Sequence, residues 1–345
     1  MRAVGELKAT GIDPNVSIPT PMKSGRIRKS PWVDFAIRRG SGFVATVVVL
    51  VVATFCMVRL IPGDAAVAAA GPDATPEQVE AVRAQLGLDT PWPHQFLAYV
   101  QGLVHADLGT SFAISVPVRD YVFARLPYTA ALAVIAIILV LAVAVPLGMS
   151  VGVLTRGGRR RWLDQAFGFL TGLLSAVPGY VIATLLVVAF SVNLSIFPPA
   201  YSHADPVSSF TLPTLALAVG PISLISRVVR RETSVILEHD FVRTARGWRL
   251  GRFLLYRKYV LPSLMTSTLT LSGLVLTSML GSAIVVETVF GWPGLGLGTV
   301  QAIVNRDYPV IQGIVLVIGV LAALLNLMVD IMLGLIDPRT LGGRQ

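Results

Sequence analysis

Residues 227 to 262 read RVVRRETSVILEHDFVRTARGWRLGRFLLYRKYVLP, and this stretch decides how the rest of the chain is read. It lies between long apolar runs and is the one sizeable internal segment that is strongly charged. Nine of its residues are Arg or Lys: Arg227, Arg230, Arg231, Arg243, Arg246, Arg249, Arg252, Arg257 and Lys258. Leu237, Phe241, Ala245 and Trp248 recur at steps of four, four and three. That spacing predicts one helical face, with Arg243 and Arg246 off it. Gly247 and Gly251 interrupt the helical run, and Pro262 closes it. The stretch reads as a short amphipathic helix, a turn, and the start of a membrane span. On charge alone, an ordinary basic loop fits equally well.

Composition points the same way. The chain of 345 residues is 54% hydrophobic and 14% charged, with a mean hydropathy of +0.72. Those values imply a multi-span membrane protein. The net charge of +9 does not make a nucleic-acid binder, because the basic residues flank the apolar runs. Cys56 is the single cysteine and sits in an apolar run, so neither an intramolecular disulfide nor a cysteine metal cluster is available.

Taken in order, residues 1–40 are polar and basic with several prolines, and read as a cytoplasmic tail. The first span is expected at 42–61, about the ~20 residues needed to cross a bilayer, with Arg59 at its outer end able to snorkel. An extracytoplasmic segment follows at 62–127. Within it Thr75 predicts an N-cap and Pro76 a first helical position, with Leu86-Gly87 ending the helix. A second helix, Gln95 to His105, suits the membrane surface. Further spans are expected at 128–154, 163–190 (interrupted by Pro178-Gly179), 212–229 (carrying Pro213, Gly220 and Pro221), 263–286 and 310–336. Residues 230–262 form the charged segment between the fourth and fifth spans, and 337–345 form a short tail. The fold class is therefore all-α with six transmembrane helices.

Loop charges orient it. Eight Lys or Arg precede the first span, four follow the second, nine follow the fourth and two lie in the last tail. The opposite loops hold Arg83, Arg119, Arg125 and Arg306. This imbalance puts both termini and the charged segment in the cytoplasm.

No catalytic pattern is present. There is no Gly-x-x-x-x-Gly-Lys-Ser/Thr loop, no His-Glu-x-x-His, no Cys/His metal spacing and no Gly-x-Ser-x-Gly elbow. Asp330, after Asn326 in the last span, reads either as a proton or cation site or as a polar group satisfied inside the bundle. Glu287 is the other acid near a span, at its outer end. Pro and Gly in Glu287-Thr288-Val289-Phe290-Gly291-Trp292-Pro293-Gly294-Leu295-Gly296 bar a continuous helix. That block reads as a re-entrant turn or short outer helix, or else as a plain loop with Trp292 as an interfacial anchor.

Arg243-Thr244-Ala245-Arg246, followed by Leu261-Pro262, resembles the cytoplasmic coupling motif of bacterial ABC importer permeases. Their pattern is Glu-Ala-Ala-x-x-x-Gly, nine residues, then Ile-x-Leu-Pro. Here Tyr259 stands at the Ile position and Arg249 at the glycine, with Gly247 and Gly251 two residues to either side. The Glu287–Gly296 block, Arg306-Asp307-Tyr308-Pro309, Asp107-Leu108-Gly109-Thr110-Ser111, Leu60-Ile61-Pro62-Gly63-Asp64 and Asp337-Pro338-Arg339 are similar to the oligopeptide/dipeptide (peptide/nickel) branch. The resemblance implies a type I ABC importer transmembrane domain with a cytoplasmic coupling helix. It gives ATPase coupling to Asp240, Phe241, Arg243, Thr244, Ala245, Arg246, Gly247, Trp248, Leu261 and Pro262. It gives an outer gate to Glu287, Phe290, Trp292, Pro293, Gly294, Arg306, Asp307 and Tyr308.

The same resemblance implies a bacterial inner-membrane permease working beside a second homologous permease. One or two ATPase subunits with two nucleotide-binding domains, and an extracytoplasmic substrate-binding protein, complete such an assembly. ATP and Mg then belong to the partner subunits, and this chain binds no cofactor. Peptides are the implied cargo, with nickel, glutathione or haem as alternatives in the family. Outside it, the alternative is a proton-coupled secondary transporter using Asp330.

Overall fold

The computed structural model describes residues 31–60, 64–71, 73–85, 87–248 and 250–336, and its regular structure is helical apart from one isolated bridge between Thr110 and Pro117. The expected tails at 1–30 and 337–345, the centre of the Leu60–Asp64 signature, Leu86 and Arg249 lie outside these residues. Helices are what the composition demands, since an apolar run in lipid has no water for its N–H and C=O groups.

The helices are α1 (Pro31–Leu60), α2 (Ala65–Ala70), α3 (Pro76–Gln85), α4 (Trp92–Val104), α5 (Val118–Leu154), α6 (Arg161–Ala176), α7 (Gly179–Leu186) and α8 (Pro206–Ile236). They continue with α9 (Asp240–Gly247), α10 (Arg252–Leu255), α11 (Leu261–Val289), α12 (Leu295–Val304) and α13 (Tyr308–Ile336). Among the described residues five helices are long and apolar enough to cross a membrane. A sixth crossing is made if α6 and α7, bent by 94°, count as one broken span. The bend has a local cause. Pro178 pushes the residue before it out of the helical region, and Val177 sits at φ −77° and ψ 124°.

Several elements run longer than the hydropathy pattern suggests. α1 begins at Pro31, so residues 31–40, expected in the tail, are helical. Proline favours the first helical position, and Asp34 lies in the first turn. α5 begins at Val118 and passes through Pro127 and Pro146. α8 extends to Ile236, into the charged segment, and carries Pro213 and Pro221 inside it. α3 starts on a reciprocal cap. The Gln78 amide N–H donates to Thr75 Oγ1 at 3.4 Å, and the Thr75 N–H donates to Gln78 Oε1 at 2.8 Å. Asp64 caps α2 through the Ala66 N–H and pairs with Arg83 of α3. The backbone hydrogen bond from Ala66, then the guanidinium, holds the Asp64 carboxyl below the usual carboxylate range.

The core is built on α5 against α8. Between membrane helices the lipid gives no hydrophobic drive, so close packing must supply the attraction. Gly148 and Gly152, one turn apart on α5, allow it. A Cβ at Gly152 would lie 2.8 Å from the Arg230 carbonyl oxygen and 2.9 Å from Thr233 Cβ. One at Gly148 would lie 2.8 Å from Val229 Cβ. α11 packs on α8 and α13, and α1 lies outermost, against α13. At the charged end, Arg227 of α8 donates to Ser175 Oγ at 3.1 Å, and Arg230 pairs with Asp164 of α6.

Gly152→Ala is therefore expected to push α5 and α8 apart and to lose about 1–3 kcal/mol of stability. A lowered midpoint of thermal unfolding in detergent measures this; an unchanged midpoint would mean the helices have room to spare.

Candidate coupling and outer-gate sites

The charged segment folds as a helix–turn–helix. α8 ends at Ile236, and the N–H groups of Leu237, Glu238 and His239 bond back to Thr233, Val235 and Ile236 at 3.0, 3.0 and 3.1 Å. His239 is extended, at φ −63° and ψ 146°, and its carbonyl accepts from both Val242 and Arg243 at 3.1 Å. α9 then carries Asp240 in its first turn and Arg246 in its last, the order that complements a helix dipole. Arg243 lies 3.6 Å from Asp240, but both are exposed and the pair adds little. Burial, then repulsion from Arg156, lowers the pKa of the half-buried Arg246 guanidinium.

The apolar face differs from the predicted one. Leu237 and Ala245 are buried as expected, and Val242 joins them with no exposure. Phe241 and Trp248 instead remain 45% and 65% exposed. The chain turns at Glu238 and His239, so the helical register of Leu237 does not carry into α9. The buried arc of α9 is centred between Val242 and Ala245, leaving Phe241 and Trp248 on its flank. The Phe241 ring stacks on His239 at 5.6 Å. Arg243, Thr244 and Gly247 are also exposed. Pro262, expected to close the segment, opens α11, where its missing N–H is no loss. Leu261 packs on the same cluster as Val242 and Ala245.

The outer block is a closed knot of hydrogen bonds. α11 ends at Val289, Gly291 turns with φ +53°, and α12 starts at Leu295. The first N–H groups of a helix have no partner within it, and here they start inside the core. Glu287, fully buried, supplies the missing acceptor. Its Oε2 accepts from Gly296 N–H at 2.6 Å and Leu297 N–H at 3.2 Å. Thr129 of α5 donates to Glu287 Oε1 at 2.7 Å and accepts from Leu295 N–H at 2.8 Å. A Cβ at Gly294 would run into the carboxyl group, and one at Gly296 would lie 2.8 Å from Oε2.

Trp292 is no interfacial anchor. It is fully buried, with Tyr201 and Phe210 rings at 5.0 and 4.4 Å, and its Nε1 donates to the Tyr128 carbonyl at 3.3 Å. Phe290 and Tyr308 are buried too, Pro293 is partly buried, and Arg306 is exposed. Asp307 forms a second knot. Its carboxylate accepts from Ser111 Oγ, from Phe112 N–H at 3.2 Å and from Ala113 N–H at 3.3 Å. The Asp107–Ser111 and Arg306–Pro309 signatures thus meet in space. Sequence reasoning missed Thr129 altogether and did not pair Ser111 with Asp307.

Asp330 sits apart from both regions. Its carboxylate pairs with Arg39 of α1 at 2.9 Å, and Asn326 one turn away donates to Thr277 Oγ1 at 2.7 Å. Among the described residues no group of three or more His, Cys, Asp or Glu is placed to hold a metal ion.

Comparison with known proteins gives a consistent picture. Residues 144–342 match the family model described as "binding-protein-dependent transport system inner membrane component", and residues 32–133 match its N-terminal companion. A putative peptide transport system permease of Brucella suis is 35% identical over 309 residues, 88% of this chain and 97% of the relative. A glutathione transport system permease of Escherichia coli K12 is 34% identical over 306 residues, 89% of this chain and 98% of the relative. Among solved structures, an inward-facing form of the MetNI methionine ABC transporter superposes with a TM-score of 0.50 at 16% identity. It covers 61% of this chain and 93% of its own, and so shows the fold alone.

Thr129→Val strands both the Leu295 N–H and one Glu287 oxygen, and is expected to lose about 1–3 kcal/mol per unmet group. Unfolding midpoints of Thr129→Val and Thr129→Ser check this; Ser keeps the hydroxyl and should stay near the parent. Equal midpoints for Val and parent would sink the clasp.

Proposed function

The chain belongs to the family of binding-protein-dependent transport system inner-membrane components, and from that premise we infer that it forms half of the membrane pathway of an ATP-driven importer of peptides. It is a transport subunit, and hydrolysis of ATP lies on partner subunits rather than on this chain. Alignment with a peptide permease along nearly the whole chain is the observation that carries the cargo class. The glutathione permease supports the same class, since glutathione is itself a small peptide, and it keeps glutathione as the second reading.

The family works with ATPase and substrate-binding proteins. The assembly proposed here is this chain, a second homologous permease, one or two ATPase chains supplying two nucleotide-binding domains with their ATP and Mg, and an extracytoplasmic binding protein. Both termini and α9 face the cytoplasm in this reading, supported by the excess of Lys and Arg on that side. The exposed flank of α9, with Phe241, Arg243, Thr244 and Trp248, is the surface offered to the ATPase. Aromatic and Arg side chains at a small contact are the types that carry binding energy. Leu261 and Pro262 act at one remove, by setting where α11 starts beneath it.

The outer knots take a supporting part. Glu287, Phe290, Trp292 and Gly294 fix α12, and Asp307 with Tyr308 fixes the loop before α13. Among the eight outer-gate residues, Pro293 and Arg306 are those left with surface to offer a binding protein. A carrier driven by protons through Asp330 would have to break the Arg39 ion pair in every cycle.

Two measurements test this reading. Uptake of labelled di- and oligopeptides, glutathione, nickel and haem by cells carrying the whole system should show ATP-dependent peptide accumulation. Trp248→Asp should abolish it at unchanged membrane abundance, whereas Asp330→Asn should leave it largely intact. Full uptake with Trp248→Asp, or uptake that follows the proton gradient and fails with Asp330→Asn, would overturn the importer mechanism.

A further inference from the structure

A cavity of about 900 Å³ lies between the last turns of α1, the α2–α4 segment and Gln312 of α13. Phe55, Arg59, Asp64, Arg83, Trp92 and Tyr99 are among its walls. α4 is held across the end of α1 by aromatic contacts. Phe55 meets Phe96 edge-on at 5.2 Å and stacks on Tyr99 at 6.0 Å, and the Tyr99 hydroxyl lies 3.1 Å from Thr54 Oγ1.

Arg59 is set within this frame. Its guanidinium carbon lies 4.8 Å from the centre of the Phe55 ring and 4.8 Å from that of Trp92. Its Nη2 donates to Gln95 Oε1. Gln95 is itself fixed, because its amide nitrogen donates to the Leu88 carbonyl at 3.0 Å and to that of Thr90 at 2.7 Å. Two rings and a neutral amide therefore aim a cation whose long side chain would otherwise sample many rotamers.

The charge of Arg59 is unbalanced. Arg83, the other cation of the cavity, is matched by Asp64 and by Glu80 at 3.3 Å. None of the carboxylates among the described residues lies within ion-pair distance of Arg59. A guanidinium at the end of a span, half out of water, needs an anion or a wet interface. The rim supplies the remaining chemistry. Trp92 is 67% exposed, and the Val48, Val49 and Val52 side chains of α1 are open toward where lipid tails lie. Trp at this level marks the headgroup zone of a bilayer.

We propose that this cavity is a phospholipid site, in which a phosphodiester headgroup seats on Arg59 beneath the Trp92 ring and the acyl chains run down the valine face of α1. Arg suits a phosphate because its planar fork offers two parallel N–H donors. The occupant belongs to the extracytoplasmic leaflet. That leaflet rests on the orientation given under the proposed function; the headgroup chemistry does not. Such a lipid would extend the contacts that already join α4 to α1, the most peripheral span.

The test is native mass spectrometry of the complete transporter, reconstituted in nanodiscs of phosphatidylglycerol and phosphatidylethanolamine and released into mild detergent. Wild type should retain a phospholipid that Arg59→Gln loses by on the order of tenfold. Arg59→Lys should keep part of it. Trp92→Leu, at an exposed position where folding is not in question, should weaken it. Arg119→Gln, an exposed arginine outside the cavity, should change nothing. Equal retention by wild type, Arg59→Gln and Trp92→Leu would overturn the site. So would displacement of the lipid by millimolar inorganic phosphate, which would reassign the cavity to a soluble anion. Retention is read without reference to leaflet, so a reversed topology, seen by labelling of Leu60→Cys from the cytoplasmic side, is a separate failure.

Discussion

A helix that begins inside an apolar core brings unmet N–H groups with it, and nothing in lipid can answer them. α12 begins in that position. The carboxylate of Glu287 and the hydroxyl of Thr129 answer for Leu295, Gly296 and Leu297. Much of the outer half follows from this. Glycine at 294 and 296 is required because the acid occupies the space a Cβ would fill. The turn between α11 and α12 must be tight enough to bring Glu287 back to a helix starting eight residues later, and Gly291 allows it. Trp292 is swung inward, where Tyr128, Tyr201 and Phe210 tie α5, the loop before α8 and α8 itself to the same point. An acidic side chain that would be a liability in a membrane here joins α5, α11 and α12 at one point.

The charged side is built on the opposite rule. α9 buries only small or branched side chains, Val242 and Ala245, and leaves Phe241 and, just past its end, Trp248 exposed. A helix of eight residues cannot hold its conformation alone. Its shape comes from the core beneath, and its upper face is free to meet another protein. Rigidity and availability are thus divided between the two sides of one short element.

What the sequence made legible follows from range. Spans, the break at Pro178, the cap at Thr75 and the charge asymmetry all rest on neighbours within a few residues, and periodicity and composition report such neighbours directly. Boundaries were less legible: α1, α5 and α8 continue into polar stretches, because tertiary packing and proline at a first turn extend a helix past where hydropathy fades. The outward turn of Phe241 and Trp248 was hidden by the three-residue break before α9, which resets the helical register. Thr129 and Ser111 left no signal of their own. Their partners lie 158 and 196 residues away, and a hydroxyl that serves one distant carboxylate looks like any other hydroxyl. The signature blocks were visible as blocks, but what joins them was not.

The glycine contact between α5 and α8 sits low on α8. At ~1.5 Å per residue, Val229 is roughly 35 Å from the Pro206 end and roughly 10 Å from the Ile236 end. The closest approach of the two backbones, from Ser226 to Thr233, therefore falls in the last three turns of α8, next to the residues that lead into α9. Pro213 and Pro221 both lie on the long side of that contact, so the unbroken part of the helical ladder is on the short side. The end of α8 that leads into α9 is thus the part held at a fixed distance from α5, by where two side chains are missing.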